Sequence, residues 1–321
     1  MTARSLPLPS LAEQLLVPAI EVGRRGIAPT PSLLQTVRGH APMIRELDPA
    51  RLYQQLEAAI CGHYPHLALQ WIRDAGLLVE ILPELDATVA FSQEGGRRHK
   101  DVWEHTKTVV QQAVPRPVVR WSAMLHDIGK VPTRRFTSSG KVTFLGHAEV
   151  GARMFRRSVA KRIAFPKPIA KRIELLILHH LRGGQYDGSW TDSAVRRFGR
   201  DMAPFLDELL LLSRADITSR RPGKRKQCLR NISELAARIR ELSREDTKVK
   251  PLPAGLGHAL MQAFQLPPGK HLADVRERLS QAYEAGDLEP GRDFDYYVDF
   301  VRRHDLLAGI EVRTPRTSRG A

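Results

Sequence analysis

The chain has 321 residues, of which 42% are hydrophobic and 26% are charged, values typical of a globular protein large enough for two or three helical subdomains. Aromatic residues make up only 6%, which argues against an all-β fold and against a sheet that stacks nucleic-acid bases. The formal net charge is +15, which would attract polyanions such as nucleic acid, nucleotides or anionic lipid surfaces. A generally arginine-rich proteome would give the same excess.

Cysteine usage and hydropathy narrow the class of protein further. Cys61 and Cys228 are too few and too far apart for a disulfide scaffold or a structural zinc site. The early apolar run "LAEQLLVPAI" is interrupted by Glu13, Gln14 and Pro18, so we expect no secretory signal. No stretch approaches the roughly 20 apolar residues of a membrane span. We therefore expect a cytoplasmic protein without a membrane partner.

The predicted elements are helices almost throughout, because apolar residues recur at three- and four-residue spacing. Residues 1–30 contain several prolines and glycines and are expected to form a partly disordered lead-in with one short helix. A helical region at 31–95 follows, with predicted helices at 32–47, 50–60 and 67–82. Further helices are predicted at 101–113, 116–128, 147–162, 168–181, 191–198, 203–220 and 227–244, with a short hairpin possible at 134–144.

The C-terminal quarter continues the same pattern. The segment "TKVKPLPAG" at 247–255 is typical of a linker, and two or three more helices are expected up to about residue 305. The last residues, 311–321, are basic and are expected to be a disordered tail. The fold class is therefore all-α, with domains predicted at 1–30, 31–95, 96–246, 247–310 and 311–321.

Four polar side chains occupy core positions of four predicted helices. His105 shares a helical face with Val102 and Val109, and the other three similarly continue apolar stripes. The set is His105, His126, His180 and Asp216. His179 lies about 100° away from the stripe that His180 continues, so we favour His180 over its neighbour.

The doublet His126–Asp127 raises the question of charge burial. An isolated carboxylate in an apolar interior is too costly to stay ionised without a partner. Any one of these histidines alone would be interpreted as a hydrogen-bonded core residue. Several imidazoles and two carboxylates together inside a helical bundle instead indicate a site for one or two divalent metal ions. Nitrogen and oxygen ligands without a thiolate suit nickel, manganese, cobalt, iron, magnesium or zinc.

The order His105, His126–Asp127, Asp216 resembles that of the HD-domain metal-dependent phosphohydrolases. The flanking runs "HKDVWEHT", "LHDIGK", "GHAEVGA" and "RAD" resemble the HD portion of bacterial CCA-adding tRNA nucleotidyltransferases. "ELDPARLYQQLEAAI" and "GLLVEILPELDATVAFSQ" resemble the neck and body helices of that family, and "LGHALMQAFQLPPGKHLADVRERLSQAYEAGDL" resembles its C-terminal RNA-contacting region. The resemblance covers roughly residues 31–305. The motifs of the nucleotidyltransferase head are not found in this sequence, so we expect no nucleotidyltransferase activity from this chain alone.

The resemblance implies a role for each polar residue of the site. It assigns His105, His126, Asp127 and Asp216 as ligands of one metal ion. His147 and His180 match the additional histidines of two-metal members, in which Asp127 would bridge both ions. A histidine at a helix N-terminus that donates to substrate is the alternative role for His147.

Several cations near these ligands are candidates for binding phosphate. Lys130 would act with Asp127 in catalysis and contact a non-bridging phosphate oxygen, or it would simply close a helix beside Gly129. Arg134, Arg153 and Arg214 are the other candidate phosphate-binding residues. The basic stretch "SRRPGKRK" at 219–226 offers a further surface for an RNA backbone.

These residues predict a metal-dependent phosphohydrolase, a phosphodiesterase or phosphatase that acts on nucleotides or RNA ends. The tRNA-related resemblance points to hydrolysis of a 2′,3′-cyclic phosphate or a 2′-phosphate. A tRNA- or RNA-binding module with a vestigial HD site is the alternative from a different functional class. A third hypothesis is a partner subunit of a separate nucleotidyltransferase.

Overall fold

The computed structural model describes residues 10–89, 101–138, 142–219, 221–247 and 252–310, and these residues form the all-α fold that the sequence predicts. The chain divides into two compact units, Met1–Arg240 and Glu241–Ala321. The predicted tail at 311–321, and parts of the predicted lead-in and linker, lie outside the described residues.

The helices of the first unit, the last of which continues past the unit boundary, are α1 (Leu11–Gln14), α2 (Val17–Arg25), α3 (Pro31–His40), α4 (Pro49–Ile60), α5 (Pro65–Asp74), α6 (Leu77–Ile81), α7 (Pro83–Asp86), α8 (Val102–Gln112), α9 (Pro117–Leu125), α10 (Lys130–Thr133), α11 (His147–Met154), α12 (Ala160–Arg162), α13 (Lys167–His179), α14 (Asp192–Met202), α15 (Leu206–Asp216) and α16 (Pro222–Thr247). Short 3-10 turns occupy Ala41–Glu46, Arg182–Gln185 and Ala203–Phe205, and a π-helical turn at Phe155–Val159 joins α11 to α12. Strands β1 (Arg135–Phe136) and β2 (Val142–Thr143) pair antiparallel in the region where the sequence suggests a hairpin, with Arg135 opposite Thr143.

The second unit contains α17 (Leu256–Phe264), α18 (His271–Ala285) and α19 (Phe294–Arg303). Their apolar faces enclose a separate core that includes Leu256, Leu279 and Tyr297. The Tyr297 hydroxyl is satisfied within this core, because it donates to the Glu289 carbonyl at 3.1 Å. Within the described parts of the chain, no helix combines the length and the apolar character that crossing a bilayer requires.

The segment for which the sequence predicts a loose lead-in with one short helix contains both α1 and α2. A capping box starts α1: the Ser10 side chain accepts from the Glu13 amide, and the Glu13 carboxylate accepts from the Ser10 amide at 2.8 Å. Helix α2 packs closely against α4, since a Cβ atom on Gly23 would lie 2.4 Å from the Ala59 carbonyl oxygen. This segment is therefore part of the packed helical layer.

Some helices predicted as continuous are interrupted in the structure, two of them at a proline or a glycine. The helix predicted at 32–47 ends at His40 and continues as a 3-10 turn, because Pro42 has no amide hydrogen to donate to the carbonyl four residues earlier. The helix predicted at 67–82 is split by Gly76, whose φ of +71° separates α5 from α6.

Helix α9 lies at the centre of the first unit and places the doublet. All of its residues from Val118 to Leu125 are buried, including the polar Arg120 and Ser122. The Arg120 guanidinium donates to the carbonyls of Ile60 and Val114, each at 3.2 Å, so this buried cation is hydrogen-bonded on two sides. Helices α4, α8, α13 and α15 pack around α9. The centre of the unit is thus the place from which the chain leaves α9 into His126–Asp127.

A bidentate ion pair joins α7 to α12. The Arg162 guanidinium contacts both carboxylate oxygens of Glu84, at 2.8 and 3.0 Å, and also donates to the Ile81 carbonyl at 3.1 Å. Burial alone would raise the pKa of the Glu84 carboxyl, but the hydrogen bonds from Arg162 outweigh it and lower that pKa. The pair therefore contributes stability only while Glu84 is ionised.

The substitution Glu84→Gln should lower the free energy of unfolding at pH 7 by about 1–3 kcal/mol, the usual value for a hydrogen-bonded charged group. Since the pKa of Glu84 is lower in the folded state, its contribution is complete above the unfolded pKa of about 4.3 and is lost as the pH falls through the folded value. Urea unfolding at several pH values measures the difference, which should narrow below about pH 4.

Glu21→Gln is the matched control, because Glu21 pairs with Arg25 at 3.0 Å on the solvent-exposed surface of α2. An exposed pair of this kind contributes at most about 1 kcal/mol. Equal destabilisation by both substitutions, or a Glu84→Gln effect that does not change with pH, would contradict the structural role of the Arg162 pair.

Candidate metal centre

Six side chains, five of them at or beside helix ends, converge in the middle of the first unit. Helix α8 provides His105 from its second turn, and the remaining five side chains lie at or beside the termini of α9, α11, α13 and α15. The set is His105, His126, Asp127, His147, His180 and Asp216. Five of these side chains are buried, and Asp216 is the most accessible, with 29% of its side chain exposed. The structure therefore brings together every residue that the sequence predicts as a metal ligand.

The first group of three comprises His105, His126 and Asp216. The Asp216 Oδ1 atom lies 2.9 Å from His105 Nε2 and 3.6 Å from His126 Nε2. The two Nε2 atoms are themselves 3.4 Å apart. Ligand atoms held about 2.0–2.2 Å from a common ion lie about 3–4 Å from one another, which fits these distances.

The second group comprises Asp127, His147 and His180. The His147 and His180 Nε2 atoms are 3.2 Å apart and lie 3.6 and 3.9 Å, respectively, from Asp127 Oδ1. Each group offers three ligand atoms within 4.8 Å of one another, so each could hold a metal ion.

Asp127 lies between the two groups and presents one carboxylate oxygen to each. While its Oδ1 atom faces His147 and His180, its Oδ2 atom lies 3.2 Å from His126 Nε2 and 3.5 Å from His105 Nε2. A carboxylate in this position is suited to bridge two cations.

Three of the imidazoles are oriented by the same local device. The Nδ1 atoms of His126, His147 and His180 each lie 2.7–2.9 Å from the carbonyl oxygen three residues earlier, those of Ala123, Phe144 and Ile177. A carbonyl only accepts, so each Nδ1 carries a hydrogen. In the neutral form of each ring, the Nε2 atom then directs a lone pair to the centre, the arrangement that metal-ligating histidines use.

His105 is oriented differently, through a residue that the sequence did not identify. Its Nδ1 atom lies 3.1 Å from the Thr218 hydroxyl, which follows the C-terminal end of α15. On the same helix as His105, Gln112 donates to the carbonyls of Ala215 (2.8 Å) and Ile217 (3.3 Å), on either side of Asp216. Thr218 and Gln112 thus fix one ligand from each of two helices. In the sequence, only the spacing of Gln112 from His105 and of Thr218 from Asp216 could have indicated these supporting roles.

The electrostatics of the site suit a cation. Burial lowers the pKa of His105 and lowers that of His180 to about 4, so both rings are neutral at pH 7. Burial alone would raise the pKa of Asp127, but His126 and Lys130 outweigh it and hold that pKa well below its usual range. The pKa of His126 is raised by Asp127 despite burial. A buried carboxylate that stays ionised beside the neutral imidazoles of His105 and His180 belongs to a donor set that a divalent ion fits.

Lys130 contacts the carboxylate that lies between the two groups. Its Nζ atom is 2.6 Å from Asp127 Oδ2, and it also lies over the Phe144 ring, 5.8 Å from the centroid. Lys130 begins α10, so the alternative in which it closes a helix is wrong. Helix α9 ends at Leu125, and the turn that follows it places the Lys130 ammonium on the carboxylate of Asp127, three residues earlier in the chain.

Close backbone packing sets the position of His147. A Cβ atom on Gly129 would lie only 2.1 Å from the His147 carbonyl oxygen and 2.6 Å from the Gly151 amide nitrogen. Gly146, with φ of +75°, then starts α11 at His147. The absence of a side chain at Gly129 therefore allows α11 to approach Asp127.

The predicted phosphate-binding arginines occupy different environments. The Arg134 guanidinium lies over the Phe136 ring at 5.5 Å, and Arg153 is exposed on α11. Arg214 is exposed on α15, where its guanidinium donates to the Ser233 hydroxyl at 2.8 Å. His179, the rejected neighbour of His180, stacks on Phe205 with the ring centroids 5.6 Å apart. Arg214 and His179 therefore contact residues that lie outside the helices carrying the six candidate ligands.

Two family models match this chain. The HD domain model matches residues 101–221, which include all six candidate ligands. The model described as "Probable RNA and SrmB- binding site of polymerase A" matches residues 26–88, which comprise α3 to α7 and the chain around them.

Curated relatives with sequence similarity include two tRNA nucleotidyltransferases. The CC-adding tRNA nucleotidyltransferase of Thermus thermophilus is 30% identical over 256 residues, which cover 77% of this chain and 56% of the relative. The A-adding tRNA nucleotidyltransferase of Deinococcus radiodurans is 31% identical over 220 residues, which cover 66% of this chain and 49% of the relative. This chain spans about half the length of these relatives.

The substitution Gly129→Ala should destabilise the protein by about 1–3 kcal/mol or more, because the added methyl group would meet the backbone at His147. Thermal unfolding followed by circular dichroism measures this loss. Gly39→Ala is the control, since a Cβ atom there meets nothing within 4 Å inside α3, and it should raise stability by up to about 1 kcal/mol. Equal melting temperatures for the two variants would contradict the close approach of α11.

Proposed function

Because this chain contains an HD domain and a polyA polymerase RNA-binding region, and is homologous to CCA-adding tRNA nucleotidyltransferases over its middle and C-terminal part, we propose that it is a metal-dependent phosphohydrolase. One observation carries the proposal. Two groups of ligands share the carboxylate of Asp127, which faces both. A pair of divalent ions held in this way suits the displacement of an ester oxygen from phosphorus.

The roles of the residues follow from their positions. Divalent ions bound by the two groups would polarise a phosphoryl oxygen and make water a stronger nucleophile at neutral pH. Asp127 keeps the two groups of ligands at a fixed separation. Asp216, the most accessible ligand, lies on the side from which a phosphate ester would enter. Lys130 would move its ammonium group from Asp127 to a non-bridging oxygen of the substrate and stabilise the charge that develops there.

The substrates proposed are phosphate monoesters or diesters of nucleotides or RNA ends, with 2′,3′-cyclic phosphates and 2′-phosphates as the specific candidates. The named activities of the relatives concern tRNA, and residues 26–88 match an RNA-binding region. The net charge of +15 supports a polyanionic substrate. Arg134 and Arg153 are proposed to contribute phosphate contacts beside Lys130.

A second candidate is an RNA-binding module, acting alone or as the partner of a separate nucleotidyltransferase, in which the HD site is vestigial. The match of residues 26–88 to an RNA-binding region favours it. The two candidates differ in one measurable property, because only the phosphohydrolase turns over substrate in the presence of a divalent metal.

Purified protein supplied with nickel, manganese or cobalt should hydrolyse bis-p-nitrophenyl phosphate and 2′,3′-cyclic nucleotides, and EDTA should abolish the activity. Asp127→Asn should reduce kcat/KM more than about a hundredfold, since even residues that only support a metal ligand change activity by about 10–100-fold. Its bound metal, measured by elemental analysis, should fall as well.

Asp207→Asn is the matched control, because Asp207 is an exposed carboxylate on α15, the helix that ends in Asp216. This variant should keep wild-type activity and metal content. Tight binding of RNA by a protein that neither retains metal nor turns over any of these esters would overturn the phosphohydrolase and favour the RNA-binding module.

A further inference from the structure

A basic cleft lies between the C-terminal end of α15 and the first turns of α16. Its volume is about 850 Å³, the size of a pocket that holds a nucleotide-sized ligand. None of the six candidate metal ligands lines it. Its walls are formed by Arg214, Ser219, Pro222, Arg225, Lys226, Leu229, Arg230, Ser233 and Glu234.

The cations that line this cleft have no carboxylate partner among the described residues. The guanidinium of Arg214 donates to the Ser233 hydroxyl, that of Arg225 to Gln112, and that of Arg230 to Gln227. By contrast, Arg156, Arg162 and Arg172 elsewhere in the first unit each contact a glutamate.

The one carboxylate of the cleft is already engaged. Glu234 accepts a hydrogen bond from the Tyr186 hydroxyl at 2.7 Å. This hydrogen bond leaves the charge of Glu234 in place, so the four cations Arg214, Arg225, Lys226 and Arg230 face one carboxylate and give a local excess of positive charge, which favours an anionic ligand.

The elongated shape of the cleft favours a polymer over a single anion. Positions 222, 225, 226, 229, 230 and 233 recur on one face of α16, so this lining face runs about 16 Å along the helix, with its cations in the central 8 Å or so. Arginine, lysine and serine side chains are the usual contacts to nucleic-acid phosphates, and they need no particular base sequence. The apolar Pro222 and Leu229 offer surface to sugars or bases.

The cleft adjoins the candidate metal centre through a shared segment. Arg214 and Ser219 line the cleft, whereas Asp216 and Thr218, between them in the sequence, belong to the centre. Three residues span at most about 11 Å, so Ser219 lies no farther than that from Asp216 along the chain. Arg225 also donates to Gln112 at 2.8 Å.

We propose that this cleft binds the backbone phosphates of a single-stranded RNA segment whose end reaches the candidate metal centre. The binding of RNA stands on the cleft itself, and only the placement of the RNA end rests on the proposed phosphohydrolase. The cleft lies outside residues 26–88, which match the RNA-binding family model, and it adds a second RNA contact on the other side of the HD ligands in the sequence.

The test measures binding of a short, fluorescein-labelled single-stranded RNA by fluorescence anisotropy in EDTA, where no metal-dependent turnover occurs. Lys226→Ala combined with Arg230→Ala should weaken binding about tenfold near 0.1 M salt. The slope of log Kd against log salt should fall by about 1.4, since each phosphate contact to a single strand contributes about 0.7.

Lys171→Ala combined with Arg200→Ala is the charge-matched control, because both side chains are exposed elsewhere on the first unit. This control should keep the wild-type Kd and slope. Both double variants should melt within a few degrees of wild type, and Lys226→Gln combined with Arg230→Gln repeats the test with longer neutral side chains.

Two results would overturn the proposal: equal RNA binding by the cleft and control variants, or displacement of the RNA by polyglutamate as effectively as by unlabelled RNA. The latter would assign the cleft to an acidic polypeptide. The proposed phosphohydrolase is tested separately, by hydrolysis of bis-p-nitrophenyl phosphate by the wild-type protein with manganese. Either proposal can therefore fail while the other stands.

Discussion

The ionised carboxylate of Asp127, buried where α9 ends, is the constraint on which the arrangement of the first unit depends. With only 2% of the residue exposed, its charge must be compensated by groups brought to it from elsewhere in the chain. Lys130 compensates it from within the same turn, and histidines from α8, α11 and α13 surround it. The helices converge at their ends because that is where these side chains meet the carboxylate.

Helix ends suit this purpose for a physical reason. Carbonyl groups in the last turn of a helix lack intrahelical partners, and here they accept from the ligand side chains or from residues that support them. Ala123 and Ile177 accept from His126 and His180 within their own turns. The carbonyl of Ala215, beside Asp216, accepts instead from Gln112. The same hydrogen bonds therefore satisfy the carbonyl groups at the helix ends and orient the candidate ligands.

The sequence predicts the ligands better than it predicts what holds them. His105, His126, His180 and Asp216 could be identified because polar residues on apolar helical faces are costly, and that cost is visible in a single chain. The flanking runs extend the prediction to Asp127 and His147. Thr218 and Gln112 carry no such signal, since polar residues near helix ends are common and their partners are more than 100 residues away in sequence.

Helix boundaries were the other feature that the sequence did not predict fully. A glycine inside a helical pattern costs only about 1 kcal/mol, so the run around Gly76 does not by itself reveal that α5 and α6 are separate. Likewise, residues 203–220 continue an apolar pattern, but α15 ends at Asp216 and the chain turns extended at Ile217. This early end lets Thr218 reach His105 and opens the cleft beside Ser219. Tertiary contacts, which no local pattern reports, decide such endings.

The hydrogen bonds from three imidazoles to carbonyls of their own turns have a thermodynamic consequence. These rings lose their rotational freedom when the chain folds, so this loss of entropy would not accompany the binding of an ion. Binding of an ion would then cost little further conformational entropy of these side chains. The affinity of the centre would depend on the chemistry of the donor atoms and not on the cost of ordering them. A preorganised site of this kind would discriminate among cations by their preferred coordination geometry, because its side chains would adjust little to an ion that prefers another geometry.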